Sequence, residues 1–154
     1  MWNAESKSEP APKIKDFYLR AATATLNDAA RISPSYPPLF LARGVLCLLR
    51  AALLQDQTEK SETLRQAVKC FEDSLRTSGG KNMMAKLGRS RAQFSLGKYA
   101  DALHGYQEVL AAAPDLYDPD PRIGVGCCLW QLGHKDDAKF AWQRALELVD
   151  TPIH

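Results

Sequence analysis

Apolar residues recur along this chain at helical spacing, in segments separated by glycine, proline or short polar stretches. Residues 97–114 and 133–150 carry the same pattern of a glycine, an alanine, an aromatic residue and a leucine, 36 residues apart. The matched pairs are Gly97 and Gly133, Ala102 and Ala138, Tyr106 and Trp142, and Leu110 and Leu146. Because residues four apart share one helical face, each segment predicts an amphipathic helix.

The pattern occurs twice more upstream, which predicts a stack of repeats. Phe71 follows Ala67 at the same spacing, and Leu26 follows Ala22 with leucine in the aromatic position. Another helical segment precedes each of the last three copies. These segments read PPLFLARGVLCLLRAALL, NMMAKLGRSRAQFSL and PRIGVGCCLWQL. We therefore predict two-helix repeats, the first copy contributing only a second helix.

Small residues lie near the middle of the three preceding segments, at Gly44, Ser90 and Gly126. Antiparallel helices approach closely only where side chains are small, so Ser90 should face Ala102 and Gly126 should face Ala138. The aromatic residue one turn later should fill the wedge toward the next helix.

Glycine and proline predict where helices end. Gly97 and Gly133 suit the turn inside a repeat, because glycine tolerates the left-handed conformation, while Gly79, Gly80 and Pro114 end second helices.

The first complete repeat carries about eleven extra residues, since Gly44 and Ala67 are 23 residues apart against 12 in the later pairs. We predict an extended first helix and a polar loop ending at an N-cap at Ser61 or Thr63. The predicted organisation is a flexible lead-in or expression-derived segment at 1–13, a second helix of a truncated repeat at 14–34, repeats at 35–79 (insertion near 51–63), 80–114 and 115–150, and a tail at 151–154.

Composition excludes several classes of function. The chain is 45% hydrophobic and 25% charged with a net charge of +2, so nothing favours nucleic acid or an anionic membrane as the main partner. No apolar run reaches the roughly 20 residues that cross a bilayer. The four cysteines lack CxxC spacing and suit small core residues in a reducing compartment. The sequence predicts no metal and no cofactor.

The sequence offers only weak candidates for catalytic, calcium-binding or nucleic-acid-binding residues. His104 falls between the buried positions Ala102 and Tyr106 and should point outward, and no catalytic motif is present, so no catalytic residue is predicted. The segment PDLYDPDP lacks the ligands and glycine of a calcium loop and suits a capping turn. The basic segment KNMMAKLGRSR has no interleaved aromatic platform, so a solvated helix face or a contact with an acidic partner segment is favoured over a nucleic-acid contact.

The small residue, glycine turn, alanine, aromatic residue and proline at these offsets resemble the tetratricopeptide repeat (TPR) from about residue 14 onwards. The period of 35 to 36 residues rather than 34, Val109 and Ser74 in place of the late alanine, and the insertion depart from that pattern. The resemblance implies an all-α, TPR-like helix-turn-helix solenoid, a right-handed superhelix of about three repeats plus a preceding half repeat.

A narrower resemblance rests on YPPLFLARGVLCLLRA, AKLGRSRAQFSLGKYADALHGYQEVL and PRIGVGCCLWQLGHKDDAKFAWQRALEL. These segments are similar to the large TPR scaffold subunit of the Paf complex, which accompanies RNA polymerase II, in a divergent, fungal-like form. The resemblance implies a non-enzymatic nuclear scaffold whose partners are other Paf-complex subunits and, indirectly, RNA polymerase II, in elongation and histone modification.

TPR arrays carry a concave surface lined by the first helices. By alignment the groove positions are Leu41, Val45, Leu49, Leu87, Arg91, Phe94, Ile123, Cys127 and Trp130. This stripe is largely apolar, so we predict a groove for an apolar or amphipathic partner segment. Two alternatives stay open: half of these side chains pack repeat on repeat, or the fragment is purely architectural and binds nothing in its groove.

Overall fold

The computed structural model describes residues 11–150, with side chains from residue 14 onwards, as seven α-helices without a strand. The helices are α1 Ala11–Ile32, α2 Pro37–Leu53, α3 Gln57–Thr77, α4 Met83–Ser95, α5 Tyr99–Ala112, α6 Asp120–Gln131 and α7 Lys135–Asp150. Each helix packs against the next one along the chain, and α4 also contacts α2 and α6. The pairs α2–α3, α4–α5 and α6–α7 therefore stack in order, with α1 packed on the free side of α2.

Aromatic rings of the second helices fill the space between first helices. The Phe71 ring of α3 lies so close to α2 that a Cβ at Gly44 would be 2.7 Å from it, and it presses equally on Gly88 of α4. Tyr106 of α5 packs in the same way on Gly124 of α6, at 2.5 Å from a hypothetical Cβ. The predicted wedge between a helix pair and the next helix is confirmed for both rings.

The small residues of the first helices also have close neighbours that the pattern did not predict. The nearest neighbour of Gly126 is the indole ring of Trp142, and the Ser90 hydroxyl meets Gly105. A glycine without a Cβ leaves room for a whole ring, so an aromatic residue occupies the space beside Gly126. The predicted facing of Ser90 and Ala102, and of Gly126 and Ala138, stays a prediction.

The turns inside the last two repeats require glycine. Gly97 and Gly133 have φ angles of 81° and 92°. Beyond them the Lys98 N–H donates to the Gln93 carbonyl and the His134 N–H to the Leu129 carbonyl, both at 2.8 Å. These bonds satisfy the last carbonyls of α4 and α6, and the predicted helix ends at both glycines are confirmed.

The extra residues of the first complete repeat lengthen its helices. Helices α2 and α3 have 17 and 21 residues, against 13 and 14 in α4 and α5, and only three residues join them. Asp56 is the N-cap of α3, because its Oδ2 accepts the Glu59 N–H at 3.0 Å. The predicted polar loop and the cap at Ser61 or Thr63 were wrong, since the earlier Asp-x-x-Glu sequence already forms a capping motif.

Candidate partner-binding groove

The first helices form the inner row of the array. Helices α2, α4 and α6 contact one another in order, whereas within residues 11–150 the second helices α3, α5 and α7 do not. Rows of helices that lie closer together occupy the inside of a curved stack. The surface of α2, α4 and α6 turned away from the second helices is therefore the concave face, the surface we call the groove.

All nine predicted groove residues lie on these three helices, but to different depths. The exposed members are Leu49 (50%), Ile123 (43%), Val45 (39%) and Trp130 (36%), with the Arg91 side chain 56% exposed. Leu41, Leu87, Phe94 and Cys127 are half-buried. Leu41 packs against the core around Phe71, and Leu87 and Phe94 pack against the core around Tyr106. About half of the stripe thus serves the packing of repeat on repeat, as one alternative expected.

A depression opens in the middle of the groove where α2, α4 and α5 meet. Its volume is about 340 Å³, and its walls include Leu49, Phe94 and Arg91 with Tyr106 below. The Phe94 ring packs edge-to-face with the Tyr99 ring, with the ring centroids 5.1 Å apart. Burial raises the pKa of Tyr106 to about 12, so its hydroxyl is neutral at physiological pH. The depression is apolar with one cation at its rim.

Arg91 does not stand alone at that rim. Its guanidinium donates to the Asp120 carboxylate at the start of α6, so the pair bridges two consecutive first helices. Because both side chains are about half exposed, water screens their attraction and the pair contributes little to stability. The bridge instead places a donor and an acceptor beside the apolar depression.

Trp130 marks the other apolar feature of the groove. Its ring lies 5.5 Å from that of Trp142, centroid to centroid, and the Lys135 ammonium sits 4.9 Å above it. The Trp142 Nε1–H donates to the Ile123 carbonyl at 3.2 Å. These contacts fix the orientation of the Trp130 indole while leaving one edge in solvent, which suits a rigid apolar contact.

Leu48, Ser95 and Tyr106 also line the depression, although the groove prediction missed them. Tyr106 was assigned to packing alone, and the repeat pattern gave no signal that its ring is also the floor of a surface depression. Leu48 lies one residue from a predicted stripe position, within the error of a helical period read from sequence.

The remaining candidates have structural roles. His104 is exposed and its Nε2 lies 3.1 Å from Glu108 on the next turn, so the outward orientation is confirmed. Asp118 accepts the Asp120 N–H at 3.0 Å where α6 begins, as a capping turn does. Arg122 is almost fully buried and donates to the Leu116 and Pro114 carbonyls at 2.8 Å each, which secures the loop before α6.

The described part of the chain offers neither a metal site nor a membrane-spanning helix. Between residues 11 and 150, no group of three or more His, Cys, Asp or Glu side chains could hold a metal ion. No helix in that range is both long and apolar enough to span a membrane.

Comparison with known proteins identifies similar sequences, although no family model matches the chain. Tetratricopeptide repeat protein 1 of Schizosaccharomyces pombe is 36% identical over 91% of this chain and 13% of its own length. RNA polymerase-associated protein CTR9 of Saccharomyces cerevisiae is 31% identical over 88% of this chain and 12% of its own length. Protein CTR9 homolog of Arabidopsis thaliana is 28% identical over 92% of this chain and 12% of its own length. The chain spans 12–13% of the length of these relatives.

Solved structures give the same fold. A thermophilic TPR protein of Thermus thermophilus superposes with a TM-score of 0.73 at 17% identity, covering 94% of this chain and 77% of that one. MamA of MSR-1 superposes with a TM-score of 0.63 at 16% identity, covering 96% and 80%. The predicted all-α helix-turn-helix solenoid is therefore confirmed.

Proposed function

We propose that this chain, a TPR array similar to the CTR9 proteins of yeast and plants, is a non-enzymatic scaffold segment of the Paf transcription elongation complex. In this role it acts in the nucleus and supports elongation by RNA polymerase II and co-transcriptional histone modification. The likeness to relatives named RNA polymerase-associated, over about nine tenths of this chain, supports the assignment.

The groove binds an amphipathic segment of another Paf-complex subunit. The observation that carries this proposal is the set of exposed apolar groove residues, Leu49 on α2 and Ile123 and Trp130 on α6, together with the depression that Phe94 of α4 and Tyr106 line. Apolar side chains at helical spacing would enter the depression, and polar groups of the segment would meet Arg91 and its partner carboxylate. Such a surface buries apolar area on binding without needing charge.

Recovery of partners tests the assignment to a complex. The chain is used as bait in nuclear extract, and captured proteins are identified by mass spectrometry. Recovery of other Paf-complex subunits is the expected result. Recovery of a different multiprotein complex alone would redirect the assignment to a general TPR adaptor, the second candidate favoured by the relative whose name refers only to the repeat.

Substitutions at exposed positions test the groove without damaging the core. Leu49→Ser and Ile123→Ser remove apolar groove surface, and Phe140→Ser removes a more exposed apolar side chain (73%) from a second helix outside the groove. We expect the first two variants to lose binding of the captured subunit and the third to keep it, with circular dichroism unchanged in all three. Full binding by the combined Leu49 and Ile123 variant would refute the groove.

A further inference from the structure

A cavity of about 290 Å³ opens between α1, α2 and α3, away from the groove. On α2 it is lined by Leu46 and by Arg43, Cys47 and Arg50, and the last three lie on the face away from the exposed groove positions Val45 and Leu49. At about 100° per residue, the two sets point in roughly opposite directions from the helix axis. The cavity therefore faces outward, between the second helices α1 and α3, and we call it the cationic cavity.

The cavity follows from one residue of the repeat pattern. Leu26 of α1 occupies the position that holds Phe71 in α3 and Tyr106 in α5, and Leu26 lines the cavity. Leucine is smaller than either ring, so it fills less of the space beside α2. Thr23 and Asn27 flank it and add polar groups to the wall.

Three cations line the cavity without a carboxylate partner. Arg43 and Arg50 are half-buried and Lys69 is exposed at the edge. The ion pairs formed within residues 14–150 include none of the three, although all but one of those pairs hold Lys or Arg. The nearest carboxylates lie beyond ion-pair distance of these cations: Glu59 and Glu62 share one neighbouring depression with Arg50, Asp16 shares another, and the Asp73 charge acts on Cys70. Half-buried cations without a direct ion-pair partner favour an incoming anion.

Two thiols of the cavity contact each other. The hydrogen bond from Cys70 is the main cause that lowers the pKa of Cys47 to about 7; the charges of Arg50 and Arg43 act in the same direction, and burial opposes the change. The pKa of Cys70 is raised because it donates to Cys47 and is itself desolvated. The two arginines therefore make only a secondary contribution to stabilising a thiolate on this wall.

We infer that the cationic cavity binds a segment of an acidic protein, whose Asp or Glu side chains occupy it and pair with Arg43, Arg50 and Lys69. The volume fits one or two carboxylate side chains. Among residues 14–150, no aromatic side chain lines the cavity on which a base could stack, so a nucleic acid finds no stacking contact there. This site is separate from the groove and takes a chemically different segment.

A fluorescent peptide of alternating Asp and Glu, about eight residues long, is the probe for this site. Its binding to the full chain is followed by anisotropy at low salt. Lys69→Gln should weaken binding about three- to tenfold, because one charge-assisted contact is lost. Arg65→Gln is the matched control, since it removes the same charge from the same helix at a residue that pairs with Glu62. Equal weakening by both variants would refute the site.

Protection of the thiols locates the bound peptide. Saturating peptide should slow alkylation of Cys47 by iodoacetamide at least about fivefold while leaving Cys127 of α6 unaffected. Unchanged labelling of Cys47 would place the peptide elsewhere and overturn the inference. Tighter binding by a single-stranded RNA of equal charge would also overturn it. Leu49→Ser should leave peptide binding intact, which separates failure of this site from failure of the groove.

Discussion

The two sides of helix α2 meet their neighbouring second helices in opposite ways. On one side, Phe71 of α3 fills the space between Gly44 and Gly88 and is fully buried. On the other side, Leu26 of α1 occupies the corresponding repeat position and leaves the cationic cavity open. At these two interfaces of α2, the ring at this repeat position gives a closed core, whereas the leucine leaves a cavity open.

This difference shows how a repeat protein can acquire sites without changing its fold. Each interface in a solenoid contributes separately to stability, because a repeat contacts only its neighbours. One loosely filled interface is tolerated when the next one is tightly packed.

The largest expected effect is the loss of the Phe71 ring. Phe71→Ala should lower the free energy of unfolding by about 3–5 kcal/mol, because it leaves a cavity between two glycine-rich helix faces. Leu26→Ala, at the corresponding position, should cost only about 1 kcal/mol, since it removes contacts from a side chain that is already half exposed. Urea denaturation followed by circular dichroism measures both. Equal losses for the two variants would contradict the asymmetry.

A smaller effect is expected from a methyl group added beside the same ring. Gly88→Ala should lower the free energy of unfolding by about 1–3 kcal/mol, because its Cβ would overlap the Phe71 ring. In a Phe71→Leu background the overlap disappears, and the better helix propensity of alanine should make the same change neutral or slightly stabilising. A double-mutant cycle measures the coupling, and simple additivity would show that the glycine is not required by the ring.

Filling the cavity should raise the free energy of unfolding rather than lower it. Leu26→Phe introduces the ring that the later repeats carry, and we expect it to stabilise the chain by about 0.5–1 kcal/mol. The same variant should weaken binding of the acidic peptide, because the ring occupies the volume of the carboxylates. Thermal denaturation and anisotropy measure the two changes. Stabilisation without loss of peptide binding would separate the cavity from the peptide site.

The repeat pattern predicted the fold because its determinants are local. Gly97 and Gly133 mark turns that only glycine adopts easily, and each alanine-to-aromatic spacing marks one buried face. The long α2 and α3 were partly mistaken for a loop, since polar residues on exposed faces of helices resemble loop residues. The sequence signal for the true start of α3 is Asp56 followed three residues later by Glu59, whose N–H the Asp56 side chain accepts.

The surface features depended on residues brought together by stacking. Arg91 and Asp120 belong to different repeats, as do Leu49 and Phe94, so no periodicity within one helix places them together. The cationic cavity is harder still to predict, because the only sequence feature that indicates it is a leucine, Leu26, at a position where the later repeats have an aromatic residue. A sequence pattern shows which side chain is present, whereas a cavity depends on what its neighbours fail to fill.

The smallest expected effect concerns a cation that does have a partner. Lys86 of α4 donates to Glu108 of α5 at 3.2 Å, in contrast to the unpaired cations of the cavity. The hydrogen bond from Lys86 lowers the pKa of Glu108 below its ordinary value, and the charges of Lys86, His104 and Arg89 act in the same direction. A lowered pKa in the folded state stabilises the protein above the unfolded-state pKa and ceases to do so as the pH falls through the folded-state value.

Glu108→Gln should therefore reduce the free energy of unfolding by about 0.2–1 kcal/mol at pH 7 and by less at an acidic pH, because protonation of the wild-type carboxyl removes this contribution as the pH falls through its lowered pKa. Glu62→Gln, which breaks an exposed pair within α3, should change stability less at both pH values. Urea titrations at the two pH values make the measurement. If the loss caused by Glu108→Gln persists undiminished at low pH, the Glu108 side chain stabilises the fold through packing rather than through its charge. The ion pair with Lys86 would then add no electrostatic stability, and in this respect Lys86 would not differ from the unpaired cations that line the cavity.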